Sequence, residues 1–573
     1  MSSLDSSHSA ALRFLQTVVV VDDHAYTVVE EAVEAATLGD ESIDDEYEPI
    51  GALDTLDDLA DPQEFHTEVV VEAFADLGIN CAVLAPDPGE HEADVQRMEK
   101  LARRSDIVIL DWVLNPRDRT GSTPNVADQT SLGFIREILR EDNAGGGRVR
   151  LICIYTGSAD AEAILDKISA ALGEELQGGA ATRIGHTIDL GSTRVVVLGK
   201  ERQVPVGTIE SVPSKDLPTR VVDEFAGFAA KGMLREIALD SLATVRNESH
   251  RLLRRFNSEL DPALISHRSA TSPADAEQFA RNLVGTELGA IVLTAESAEV
   301  LTDERVNGYV DGSLAGRETA YYWKTPDAAD PAQFPVDIAG KALKLGIDEN
   351  ERIRETDRKL HPRISRTPLL LAGEKEEIRA GAKRIDSRFS MLSSLARDPE
   401  FEGQGSPPPI LQLGAIVSNK VVSVDSSEAS AEPDMRSVQD DPVEEVRYWV
   451  CLQPLCDSVR LTESTRFPLL PLKNGHSNFN YVVEQGGDHI TLEHAGLKIS
   501  EMELVRFAPD PSLLTVRARW NGDRWVFDSQ AGESYDWKGS LRLDKAHKLL
   551  QSVVTVAGRI GIDEYEYLRG AAR

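Results

Sequence analysis

The chain has 573 residues, 41% of them hydrophobic and 27% charged, which suits a water-exposed globular protein of several domains and excludes a fibrous or low-complexity one. Sixty-one Lys and Arg against 96 Asp and Glu leave a net charge of −35, which repels nucleic acid and anionic membrane over most of the surface. No apolar run approaches the roughly 18 residues that cross a bilayer, and Cys81, Cys153, Cys451 and Cys456 are too few and too scattered for a disulfide framework, so a cytoplasmic location is expected.

From the N-terminus, short β-branched runs alternate with helical stretches. Strands are expected at 17–21, 80–85, 106–110, 150–155 and 194–198, and helices at 24–36, 63–77, 91–104, 130–141 and 159–174. This alternation predicts an α/β domain with a five-stranded parallel sheet, the flavodoxin-like count. Between Arg13 and Arg97 there is no Lys or Arg, while 23 Asp and Glu residues fall there. That interval is read as a solvated acidic surface and loop, or else as a docking face for a basic partner.

From Ser214, which could cap a helix ahead of Pro218, apolar residues recur at helical spacing through Val221, Phe225, Phe228, Met233, Leu234, Ile237 and Leu239, predicting a long helix, with one break allowed, to about residue 256. Further helices are expected near 273–305 and 372–396, so the middle region reads as mainly α. The prolines of 406–409 introduce strand-like segments at 410–417, 446–451, 481–483, 514–520 and 524–528. Residues 423–443, rich in Ser, Asp and Glu, read as a loop or linker, and the last 30 residues as helical. The expected domains are 14–212, 213–400 and an α+β or β-rich domain at 407–573.

Ligands collect at the carboxyl ends of strands in an open α/β sheet. Strand one ends in Asp22 and Asp23, strand three in Asp111, strand four in Thr156 and strand five in Lys200. Each feature alone has a plainer reading, because an acid pair after a strand also caps helices and a strand-final Asp, Thr or Lys is often only a loop residue. Together they predict a site. Converging carboxylates repel one another unless a divalent cation joins them, and hard oxygen ligands favour Mg²⁺. Asp22 and Asp23 would hold the metal, and Asp111 would bind it with one oxygen and attack a phosphoryl group with the other. Thr156 would donate its hydroxyl to a phosphate oxygen and Lys200 would supply a point charge.

The segments VVVVDDH, DIVILDWVLNP, LICIYTGS and RVVVLGK resemble the response-regulator receiver family over roughly 14–220. The resemblance implies a phosphoacceptor at Asp111, a further metal ligand in the backbone carbonyl of Val113, and a phosphorylation-dependent signalling switch. The departures lie in the spacing: Asp23, Asp111, Thr156 and Lys200 stand farther apart than in compact members. Pro116 follows the phosphoacceptor by five residues where the family has four, Glu201 replaces the proline after the lysine, and no aromatic switch residue precedes Lys200. Lys200 and the aromatic read-out are the positions these departures put in question.

Beyond the receiver, GMLREIALDSLATVRNESHRLLRRF, RFSMLSSL, ILQLGAIVS, YWVCLQPLCDSVRL and FPLLPL are similar to large bacterial receiver proteins of conflict or phage-defence gene clusters. That resemblance implies a histidine-kinase-like partner, including the GHKL type of ATPase. It names no output activity and no oligomeric state. Cys456 beside Asp457, with His476 or His489 as partners, permits a thiol-dependent hydrolase reading, but a catalytic thiol needs a base and an electropositive pocket. Neither is visible, and a buried structural cysteine is the plainer alternative. Nor do Cys451 and Cys456 with those histidines form a zinc pattern. No catalysis is expected beyond phosphoryl uptake and loss. A third alternative is an interaction scaffold that needs no phosphorylation.

Overall fold

A computed structural model describes residues 3–23, 25, 65–85, 91–112, 114, 127–144, 147–157, 161–173, 182–201, 210–270, 273–295, 300–322, 332–345, 369–370, 378–423, 443–458, 461–475, 480–494, 499–511 and 513–557. The expected helix at 24–36, most of the acidic interval and the Ser-rich stretch at 424–442 lie outside them. The chain divides into two compact units, residues 1–257 with 284–305, and residues 258–283 with 306–573.

The first unit is built on an eight-stranded sheet: β1 Thr17–Val21, β2 Asn80–Leu84, β3 Ile107–Leu110, β4 Arg150–Thr156, β5 Thr182–Ile184, β6 Thr187–Leu190, β7 Thr193–Lys200 and β8 Ser211–Val212. The main path runs β2-β1-β3-β4-β7-β6-β5, with β8 on the end of β7. Strands β2, β1, β3, β4 and β7 are mutually parallel and are the five predicted. The five-strand expectation missed the antiparallel β5–β6 hairpin and the short β8. Two-residue turns led by Gly185 and Gly191, both at positive φ, fold β5 to β7 back on one another, a conformation glycine adopts without steric cost.

Helices cover both faces. Val18 and Val20 of β1 pack towards α1 (Ser3–Phe14), α2 (Thr67–Asp76) and α6 (Leu217–Ala229), with Phe74 and Phe225 fully buried between them. Val19 and Val21 pack towards α3 (His91–Ala102), α4 (Ala127–Ala144) and α5 (Ala161–Gly173), where Met98, Ile135 and Ile168 lie. A strand buried on both faces needs no polar alternation, which is why β1 reads as an unbroken valine run.

The expected boundary at 212/213 falls ahead of α6, whose Val221, Val222 and Phe225 are fully buried in this core. The helical stretch predicted from 214, for which one break was allowed, is divided at Gly232, φ +97, into α6 and α7 (Met233–Asn247), and a second break at Glu248 leads into the short helix Ser249–Arg255. The first turn of α6 is not capped by Ser214, since the N-cap is Asp216 and makes no side-chain bond. Along α7 a buried polar row, Glu236, Asp240 and Thr244, is satisfied by Arg305, which grips Glu236 at 2.8 and 2.7 Å, and by Arg13.

The second unit holds a three-stranded antiparallel sheet at 319–322, 332–335 and 369–370, in the region expected to be mainly α, between the helices expected near 273–305 and 372–396. It also holds a ten-stranded sheet whose central pairs, such as Ala415–Ser423 with Val443–Cys451, are antiparallel. The β-rich expectation for this region holds. One face packs against helices Ile378–Ser394 and Leu543–Ala557, and the other encloses aromatic side chains including Trp449, Phe467 and Trp537. Gly414 lets two elements meet, because a Cβ there would lie 2.9 Å from that of Ala546. Among the described residues no helix is long and apolar enough to cross a membrane.

Candidate functional site

In the order β2-β1-β3, the chain switches direction across the sheet between β1 and β3, and the crevice beyond their carboxyl ends is the natural ligand position. Asp22 and Asp111 are the first residues past those ends. The N–H of Asp22 donates to the carbonyl of Leu84 at 3.1 Å, and that of Asp111 to the carbonyl of Val21 at 2.9 Å. The parallel ladder therefore runs one residue beyond each strand and fixes both backbones. Asp22 is 2% exposed and Asp111 7%, and one carboxylate oxygen each from Asp22, Asp23 and Asp111 lies within 4.8 Å of the others.

Lys200 is the last residue of β7 and is buried. Its Nζ donates to Asp22 Oδ2 and to Asp111 Oδ2, each at 2.7 Å. Thr156 ends β4 in register with Gly199 and is also buried, which places it at the same sheet edge. The lysine that the motif departures had put in question thus stands among the predicted acids.

Electrostatics follow from this crowding. Burial pushes the Asp111 carboxyl up from 3.8 to about 6; Lys200 pulls against this, while Asp22 and Asp23 add to it. Burial alone would lower the Lys200 ammonium, but attraction by Asp111 and then Asp22 outweighs it and holds the group well above its ordinary value. Three ionised carboxylates and one ammonium carry a formal charge of −2, which a divalent cation would cancel.

The opposite end of the sheet shows what a structural acid looks like in this fold. Asp106, just before β3, is 2% exposed, but its Oδ2 accepts the N–H groups of Gln16 and Thr17 at 3.0 and 3.2 Å and a guanidinium hydrogen bond from Arg246 at 3.3 Å. Buried Arg150 on β4 pairs with Asp142 and donates to the carbonyl of Ala102. Such acids are satisfied by backbone donors and by Arg, whereas the upper cluster sets three carboxylates beside one another with Lys200 bonded to two of them.

Two contacts at this edge carry no sequence signal. Ser131 of α4, 0% exposed, donates its hydroxyl to the carbonyl of Asp111 at 3.0 Å. The hydroxyl of Tyr155, next to Thr156, donates to the carbonyl of Val212 at 2.7 Å and ties β4 to β8. Both partners are distant in sequence and meet only in the fold. Val113, the expected carbonyl ligand, lies outside the described residues, as does Pro116. Cys456 falls in the short 3-10 turn Leu455–Asp457, but its side chain is outside the described ones, and so is His476. His489 lies on strand Asp488–Glu493. Burial pushes the Cys451 thiol up to about 12, so that sulfur stays protonated.

Residues 14–205 match the family described as the response receiver domain. This stretch is a receiver domain. It contains Asp22, Asp23, Asp111, Thr156 and Lys200, and the parallel order β2-β1-β3-β4-β7 is the flavodoxin-like arrangement such a domain implies. No curated protein and no solved structure matches the chain. Receiver domains work as phosphorylation-dependent signalling switches, interact with histidine kinases and hold Mg²⁺ through acidic residues. The donor set here fits that ion: three clustered carboxylates of hard oxygen with a formal charge of −2 once Lys200 is counted.

Proposed function

We propose that this chain is a signalling switch in which Asp111 accepts a phosphoryl group and the change is relayed to the helical and C-terminal regions. The observation that carries the reading is the convergence of Asp22, Asp23 and Asp111 within 4.8 Å, with Lys200 bonded to two of them. Asp22, Asp23, one oxygen of Asp111 and the carbonyl of Val113 would hold Mg²⁺. The ion when bound would neutralise charge on the transferring oxygens.

The chain's own residues supply the rest. An Asp111 oxygen forms a bond to phosphorus as the bond from phosphorus to the donor's imidazole nitrogen breaks; the imidazole leaves with a proton, and the product is an acyl phosphate. With a carboxyl near 6, Asp111 is mainly ionised above neutrality and so is a competent nucleophile. Lys200 is positioned to leave its Asp111 contact for a phosphate oxygen, and Thr156 to donate a hydroxyl hydrogen bond. The phosphoryl donor in this reading is a histidine-kinase-like protein, and a GHKL ATPase of a bacterial defence cluster fits the resemblance of the remaining chain.

The test is binding of beryllofluoride with Mg²⁺, a mimic of the aspartyl phosphate. Wild-type protein should bind it and Asp111→Asn should not; equal binding by the variant would sink the proposal. A scaffold that needs no phosphorylation would show no carboxylate-dependent Mg²⁺ affinity in the same titration.

A further inference from the structure

The helix α4 turns one stripe to the sheet: Ser131, Phe134, Ile135, Ile138 and Leu139, all buried. Four members are hydrocarbon and the first is a hydroxyl. A buried hydroxyl is costly unless bonded, and a serine inside a helix ordinarily satisfies itself on the carbonyl four residues earlier. Other helical hydroxyls of this chain do so: Ser241 on Ile237 at 2.7 Å, Ser552 on Lys548 at 2.9 Å and Thr555 on Gln551 at 2.7 Å. Ser131 instead reaches another element and bonds the carbonyl of Asp111 at 3.0 Å.

The consequence lies in the backbone of Asp111. Its N–H is held by Val21 on β1 and its carbonyl by Ser131 on α4. Both peptide planes flanking its Cα are therefore fixed, and only the side-chain torsions remain to place the carboxylate. The carbonyl lies past the last ladder pair of β3 with β4, Leu110 with Ile154, so it is the helix that anchors that plane. In-line attack tolerates little error, and a displacement of about 1 Å can cost on the order of a hundredfold in rate.

We propose that Ser131 is a positioning residue for phosphoryl uptake: its hydroxyl fixes the Asp111 peptide and so aims the attacking carboxylate. The inference rests on reading Asp111 as the phosphoacceptor. Ser105 provides the comparison a merely structural role requires, since it too is a buried hydroxyl, bonded to the carbonyl of Leu101 at 2.9 Å, at the opposite end of the sheet.

The experiment measures phosphoryl uptake by the full chain from acetyl phosphate at saturating Mg²⁺, together with beryllofluoride binding. Ser131→Ala should lower the maximal rate by about tenfold or more while the donor concentration for half-saturation changes less than about twofold. Ser131→Thr, which keeps the hydroxyl, should stay within about threefold of wild type, and Ser105→Ala should leave the rate unchanged. Ser131→Cys keeps the volume with a far weaker donor and serves if the alanine variant does not fold. Uptake at the wild-type rate by the alanine or cysteine variant overturns the inference alone. So does an equal fall in Ser131→Thr or Ser105→Ala. Failure of the wild type to take up phosphate or bind beryllofluoride overturns the reading of Asp111 as phosphoacceptor, and the role of Ser131 with it.

Discussion

Replacing Asp111 by Asn should change the pH dependence of stability in a direction set by burial. The folded carboxyl, near 6, lies above the 3.8 of an exposed one, so as pH falls the native state takes up this proton before the unfolded chain does. Its ionised form thus costs stability that is absent below about pH 4 and fully present above about pH 6; the gap corresponds to about 3 kcal/mol. Asn carries no such penalty. The bond that Lys200 loses in the variant is a constant offset over this range, because the ammonium stays charged. Relative to wild type, Asp111→Asn should therefore gain about 3 kcal/mol between pH 4 and pH 7.

The assay is urea unfolding in EDTA at several pH values. Trp112, the one tryptophan in residues 1–257 and 284–305, is buried beside Asp111, and its fluorine-labelled resonance reports the first unit apart from the second. A difference between variant and wild type that stays flat to within about 0.5 kcal/mol, or that runs the other way, refutes the assignment of a buried, burial-raised carboxyl to Asp111.

Lys200→Met leaves Asp22 and Asp111 buried without their shared cation, and should destabilise the first unit by about 3–5 kcal/mol at pH 7.5 in EDTA, read by the same unfolding curves. Asp22→Asn and Asp23→Asn should each weaken Mg²⁺ binding by on the order of tenfold in calorimetry, equivalent to about 1.4 kcal/mol. Glu236→Gln breaks a buried, two-pronged contact with Arg305 and should cost about 3 kcal/mol in thermal unfolding of that unit. In the second unit, Gly414→Ala places a methyl 2.9 Å from Ala546 at a backbone φ of +87; a loss of about 1–3 kcal/mol in that unit's unfolding is expected.

How much could be read beforehand depended on whether the relevant partner was near in sequence. β1, β3 and β4 announced themselves because strands buried on both faces are mostly hydrocarbon, and the acids at the ends of β1 and β3 stand out against Val and Ile. Lys200 was harder, since β7 runs two residues further than expected and carries the lysine as its last strand residue. The β5–β6 hairpin lies between the helix expected at 159–174 and the strand expected at 194–198, where no element was expected, although Gly185 and Gly191 are the turn signals that build it. Helical periodicity offers no help for Ser131, whose role depends on an acceptor 20 positions away. Strand Ser534–Leu541 was missed for another reason: its buried positions are Tyr535, Trp537, Gly539 and Leu541, and a glycine on the core face breaks the apolar alternation. The packing of α6 into the receiver core was likewise invisible, because periodicity shows that a helix face is apolar and not what it covers.

The bond from Lys200 to Asp22 joins residues 178 positions apart, which has a bearing on how the chain reaches its native state. Parallel pairing of β1 with β3, and then β7 beside β4, closes long loops before it is rewarded, a topology that folds slowly. During synthesis the acids at the ends of β1 and β3 emerge well before the lysine that answers them. Until that lysine arrives the half-built edge repels itself, so the amino-terminal strands gain their full cohesion only when the last parallel strand docks.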